Sequence, residues 1–238
     1  MTTEIHYTHN VGIKFHPDGS PRQFPGNTII CSVNPSSTTF QLLTEMLDEL
    51  RALPFVHKFA LLPEPSLHMT VMELLCDEVR KRERWSSQLE LDASLIETDD
   101  FFIETVPTVI APGNFQMKYD YFYTSGTGII IGIKPVDNQN MQRIRQYRDD
   151  VAAATGVRFA DHDSYSFHIS LAYRLIELRD DEATTLATLT ERIGKKLESE
   201  FRVFDSGQPQ LSFFDDMFAF LPIDKRLNLS SRRKNPGT

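Results

Sequence analysis

The chain has 238 residues, 40% of them hydrophobic and 24% charged, with a formal net charge of −8 and an isoelectric point near 5.4. These ordinary values exclude disorder over most of the chain, and the acidic balance argues against gripping long nucleic acid, which needs a broad basic face. Two cysteines, Cys31 and Cys76, are too few for a four-cysteine zinc site or a disulfide framework. No run approaches the roughly 20 apolar residues of a membrane span, and the polar stretch from Met1 to Asn10 lacks a signal-peptide core. Cytoplasm is therefore the expected compartment, with no membrane partner. A small anionic ligand in a locally positive pocket remains open.

Residues 1–26 hold Gly12, Pro17, Asp18, Gly19, Pro21, Pro25 and Gly26 and read as an irregular arm with tight turns. Thr28 to Pro35 is an apolar, β-branched run that stops at proline, which predicts a buried strand. Ser36 and Ser37 then offer helix N-caps, and Phe40, Leu43, Leu47 and Leu50 keep one apolar helical face. A strand over Leu67–Leu75 follows, then a helix near 76–96, then a strand-rich stretch opened by Phe101.

The pattern then recurs 100 positions on. Gly128 to Pro135 is the strand, Asp137 and Asn138 the caps, and Met141, Ile144, Tyr147 and Val151 the helical face. Phe167–Leu175 is the second strand. A helix near 181–198 carries Ala183, Leu186, Leu189, Ile193 and Leu197, and Phe201 opens the last stretch. A shared offset across several elements points to an internal duplication. The expected fold is α+β: one bilobal domain over 1–238, with repeat one at 27–126, repeat two at 127–227, a pseudo-twofold axis, a central cleft and a polar tail at 228–238.

The chemistry lies in the second strand of each repeat. One reads Ser66-Leu-His68-Met-Thr70-Val71 and the other Ser166-Phe-His168-Ile-Ser170-Leu171. Side chains alternate faces along a strand, so Leu67, Met69 and Val71 share an apolar face, as do Phe167, Ile169 and Leu171. His68 and Thr70 share the opposite face, as do His168 and Ser170. Two such strands related by a twofold would aim two imidazoles and two hydroxyls into one cleft. That set suits phosphodiester hydrolysis without a metal. In-line displacement needs a base on the attacking water and an acid on the leaving oxygen, and imidazole serves both. Hydroxyls donate to the phosphoryl oxygens, where charge develops.

The paired His68-Met-Thr70 and His168-Ile-Ser170 motifs resemble those of the two-histidine (2H) phosphoesterase superfamily, which includes bacterial LigT-like RNA 2′,3′-cyclic phosphodiesterases and the plant and yeast cyclic phosphodiesterases. Gly12 to Gly19, Phe24 to Cys31 and Phe167 to Tyr173 also look like a bacterial branch of it. The likeness covers residues 12–222 or so. It implies a bilobal fold with a central cleft and cofactor-free, metal-independent hydrolysis of a cyclic phosphodiester, on a 2′,3′-cyclic nucleotide, an RNA end or an ADP-ribose cyclic phosphate. His68 and His168 would be acid and base, with Thr70 and Ser170 holding the phosphate. Ser170 stands where threonine is more usual; it keeps the donor.

Further residues are candidates for substrate binding. By strict alternation Arg174 falls on the His168 face. Lys118, Tyr119, Tyr121 and Tyr123 put a cation among aromatics that could stack a base, with Lys118 and Tyr123 the candidates. Asn27 and Lys14 near the start of repeat one are weaker ones. Two rival readings stand beside the hydrolase: a phosphate-binding module without turnover, and a metal-dependent phosphohydrolase in which Asp161, His162 and Asp163 join His68 and His168.

Overall fold

The computed structural model describes residues 5–124 and 126–229. The expected polar tail from 230 onward lies outside the described residues. The strands are β1 (Gly26–Ser32), β2 (Phe59–Leu61), β3 (His68–Cys76), β4 (Gln116–Thr124), β5 (Gly128–Pro135), β6 (His168–Arg174), β7 (Phe204–Asp205), β8 (Gln210–Asp216) and β9 (Ala219–Pro222). The helices are α1 (Thr38–Arg51), α2 (Leu95–Thr105), α3 (Asn138–Thr155) and α4 (Asp180–Glu200). No helix among the described residues is long and apolar enough to cross a membrane.

The capping chemistry sets the helix ends. Ser37 Oγ accepts from the Phe40 N–H at 3.0 Å to start α1, and Asp137 does the same for Asn140 at 2.8 Å in α3. Gly156, at φ +67°, closes α3 in the left-handed conformation that glycine adopts without strain.

The helix expected near 76–96 does not form, and the strand expected at Phe101 is a helix. Ser86 is fully buried and donates to the Thr155 carbonyl at 2.6 Å, while the Ser87 N–H meets Gly156 O at 2.9 Å. Such bonds give a serine-rich segment an alternative to the helical ladder. Trp85 anchors the loop, its indole N–H on Glu90 O and the Arg80 guanidinium 4.8 Å from its ring. The helix starts instead at Ser94, whose hydroxyl and the Glu97 carboxylate form a reciprocal capping box, so Phe101 and Phe102 lie on α2.

The strands make one curled antiparallel sheet in the order β7-β4-β5-β6-β3-β1-β8-β9, with β2 beside β6. The halves interlock. β4 from the first half pairs with β5 of the second, and β8 from the second pairs with β1 of the first. β3 and β6 meet at one register pair, Met69 opposite Ile169; beyond it β2 takes the free edge of β6.

Each motif strand also carries a bulge at the same place. Ile29 and Ile30 face Met72 and Thr70, skipping Val71. Ile129 and Ile130 face Ala172 and Ser170, skipping Leu171. The extra residue reverses the alternation beyond it, so Val71 with Met72, and Leu171 with Ala172, all reach the core.

That core lies on one face of the sheet. Met69, Leu171 and Ile131 pack there with Leu43 and Leu47 of α1, Ile144 and Val151 of α3, and Leu186 and Ile193 of α4. A smaller cluster on the other side joins Phe15 and Phe24 of the N-terminal arm to Phe214 and Met217.

Candidate functional site

The register at Met69–Ile169 sets His68 opposite Ser170 and Thr70 opposite His168 on the face away from the main core. The two histidines are then diagonal neighbours, roughly 7–8 Å apart and somewhat closer at their Cβ atoms. All four side chains line one cavity of about 380 Å³. The apolar partners on the other face make this arrangement hard to slip, since moving either strand by one residue would bury the histidines and expose the core.

Each imidazole is held the same way. His68 Nδ1 lies 2.6 Å from Ser66 O and His168 Nδ1 lies 3.0 Å from Ser166 O. A carbonyl only accepts, so Nδ1 carries the hydrogen and Nε2 is the atom free for chemistry. The surroundings differ. Phe220 covers His68 with ring centroids 4.2 Å apart, whereas Tyr165 stands 6.3 Å from His168. Burial pushes the His68 pKa down to about 4, against the pull of the Ser66 carbonyl, and the nearby His168 adds to the depression. His68 is therefore neutral at pH 7.

Of the other candidates, Asn27 and Lys14 line the cavity. Asn27 is occupied by the fold: its Oδ1 accepts from the Leu75 N–H at 2.9 Å and its Nδ2 donates to Asp99 at 3.2 Å. Lys14 reaches the cavity between two rings, its Nζ 4.8 Å from the Tyr173 centroid and 5.3 Å from that of Phe24.

Arg174 is turned away from the cavity. The bulge at Leu171 hands its place on the cavity face to Tyr173. The Arg174 guanidinium instead lies 5.9 Å from the Phe59 ring and 3.8 Å from Glu177. Lys118 and Tyr123 do not line the cavity either. Both sit on β4, separated from β6 by β5; Lys118 donates to Val136 O and Tyr123 is largely exposed.

Tyr121 comes closer to the motif from that strand. It pairs with Gly132, which pairs with His168. Its ring lies where a Cβ on residue 132 would be, so glycine is what admits it.

Asp161, His162 and Asp163 do not line the histidine cavity. His162 and Asp163 gather with Asp149 elsewhere, ligand atoms within 4.8 Å. Arg158 donates to both carboxylates, at 2.8 and 2.7 Å, and so occupies the cluster with its own charge. Asp161 pairs with Arg84 at 3.5 Å.

Among the contributors to the cavity that went unread in the sequence are Tyr165, Tyr173, Phe220 and the Arg84–Glu73 ion pair at 2.6 Å. Tyr173 depends on a bulge and Phe220 arrives on a distant hairpin; neither has a local signature. Cys76 also faces the cavity, but burial raises its thiol pKa to about 11, which keeps it protonated.

The fold resembles that of the conserved protein of unknown function ATU0111 from Agrobacterium tumefaciens str. C58, at 24% identity, with a TM-score of 0.82 and 92% of each chain covered. A looser likeness, TM-score 0.38 and 11% identity, covers 79% of this chain and 85% of TT0787 of Thermus thermophilus. No curated protein matches. Residues 14–128, which include the first motif, match the family described as 2H-phosphodiest, Domain of unknown function (DUF1868), so this segment carries the likeness to the two-histidine phosphoesterase superfamily.

Proposed function

We propose that the protein hydrolyses a cyclic phosphodiester of a nucleotide or RNA end, with His68 as general base and His168 as general acid. The observation that carries this is the diagonal pair of imidazoles, each with Nδ1 tied to a backbone carbonyl and Nε2 left for the substrate. A phosphate held between them meets a base on one side and an acid on the other, as in-line displacement requires.

His68 Nε2 takes a proton from water, and the water oxygen bonds to phosphorus. The P–O bond to one sugar oxygen breaks, and His168 Nε2 delivers a proton to that oxygen. The product is a phosphomonoester with a free hydroxyl, and both histidines return to their starting states after one proton exchange with solvent. The assignment follows from environment: the ring beneath Phe220 stays neutral and ready to accept. Thr70 and Ser170 hydroxyls donate to the non-bridging oxygens as charge builds on them.

The matching bulges 100 positions apart support reading the chain as a duplication with a pseudo-twofold axis between β3 and β6. Duplication accounts for an acid and a base presented by equivalent backbone.

The test is hydrolysis of adenosine 2′,3′-cyclic phosphate in excess chelator, followed by chromatography of the monophosphate. Steady turnover is the expected result. Binding without turnover would overturn the reading in favour of a binding module, and activity that chelator abolishes and a divalent ion restores would overturn it in favour of a metal enzyme.

A further inference from the structure

The N-terminal arm has no part in the two-histidine chemistry, yet it is built into the molecule. The Thr8 N–H meets Leu175 O at 2.8 Å, and Asn10 Nδ2 donates to Thr127 O and Arg174 O at 2.8 Å each. Phe15 is fully buried against Tyr173 and Phe218, with centroids 5.2 and 5.8 Å away. Gly12 and Gly19 take φ of +90° and +83°, turns that side chains resist. The residue next to the Phe15 anchor is Lys14, and it lines the cavity.

Lys14 differs from the other cation there. Arg84 is neutralised by Glu73 at 2.6 Å and by Asp161 at 3.5 Å. Lys14 rests between the rings of Phe24 and Tyr173, which orient an ammonium group without cancelling its charge. Among the described residues no carboxylate forms an ion pair with it. Its place is set by Tyr173, two register steps beyond Ser170 once the bulge is counted. That is roughly 7 Å along the strand from the hydroxyl facing the scissile phosphate. The two groups therefore address different parts of a ligand.

We propose that Lys14, held by Phe24 and Tyr173, is a second anion subsite, and that the substrate is a cyclic phosphodiester carrying a further phosphate on the same sugar. This rests on the phosphodiesterase reading for the first phosphate. It also gives the arm a purpose, which is to bring one uncancelled positive charge to the cavity of an acidic protein.

The test compares adenosine 3′-monophosphate with adenosine 3′,5′-bisphosphate by calorimetry, in the wild-type protein, Lys14→Met and Lys14→Arg. Turnover of adenosine 2′,3′-cyclic phosphate is followed in parallel. A charge-assisted hydrogen bond should make the bisphosphate bind about tenfold or more tightly in the wild type. The ratio should collapse toward one in Lys14→Met and return in Lys14→Arg. Equal affinities in the wild type would overturn the subsite without any variant being needed, as would an unchanged ratio in Lys14→Met. Cyclic-phosphate turnover together with equal affinities overturns the subsite and leaves the hydrolase standing. A Lys14-dependent preference without turnover supports the subsite and overturns the hydrolase.

Discussion

β3 and β6 present the same motif on the same backbone, and the two histidines nevertheless sit in different surroundings. Both strands bulge one residue after the hydroxyl, and both imidazoles tie Nδ1 to the carbonyl two residues back. His68 lies under Phe220, and its supporting Ser66 is buried. His168 has Tyr165 beside it at the greater distance of 6.3 Å, and its supporting Ser166 is exposed. The backbone fixes where the two nitrogens point, and Phe220, from outside the two motif strands, covers His68 alone of the pair. Matching strand geometry thereby holds two imidazoles in unlike surroundings, the condition that the proposed division into acid and base requires.

The largest break in this comparison comes from removing an imidazole. His68→Ala and His168→Ala should each lower kcat/KM for a cyclic nucleotide by about 10²–10⁴-fold. The pH profile tells them apart: each variant should lose one limb of a bell-shaped curve, the acid limb in His68→Ala and the alkaline limb in His168→Ala. Loss of the same limb in both would show that the roles are not divided.

A smaller effect is expected from the hydroxyls. Thr70→Val and Ser170→Ala each remove one donor to the phosphoryl group and should cost about 10–100-fold, consistent with a hydrogen bond to a charged acceptor. Thr70→Ser should recover most of the rate, since serine keeps the hydroxyl and loses only the methyl. A steady-state comparison of the three variants checks this.

Phe220→Ala sharpens the comparison with the least change in rate at neutrality. The base must be neutral, so activity should fall as pH drops through the His68 pKa, which burial holds at about 4. Uncovering the ring relieves the penalty on its charged form, so that pKa should rise toward the ordinary value near 6.5. The acid limb of kcat/KM should then move to higher pH by about one unit, while His168, away from Phe220, supplies an internal control. Proton NMR titration of the two imidazoles reads the His68 shift against that control, and an unmoved His68 would separate Phe220 from the tuning of the base.

Much of this was legible in the sequence because it depends on local pattern. Alternation along six residues is enough to put His68 with Thr70 and His168 with Ser170, and the apolar partners between them say which face is buried. Ser37 and Asp137 announce their helices because a cap acts on backbone two or three residues away. The helix expected near 76–96 is displaced although the right signals are present: Ser94 and Glu97 form a capping box that marks the true start of α2. Arg174 is displaced for a different reason. Its face depends on one inserted residue at Leu171, and a bulge arises from pairing with β5, which no property of the β6 sequence reveals.

The sequence by itself determined β1, β3, β5 and β6, three of the four α-helices, and the two motifs with their partition between core and cavity, because these follow from periodicity and from bonds between near neighbours. Tertiary structure decided what surrounds them. The β8–β9 hairpin laid Phe220 on His68 alone of the two histidines, the arm carried Lys14 into the cavity lining, and the bulge exchanged Arg174 for Tyr173. Each of these contacts joins residues far apart in the chain, and their energy depends on a burial that exists only once the sheet has closed around them.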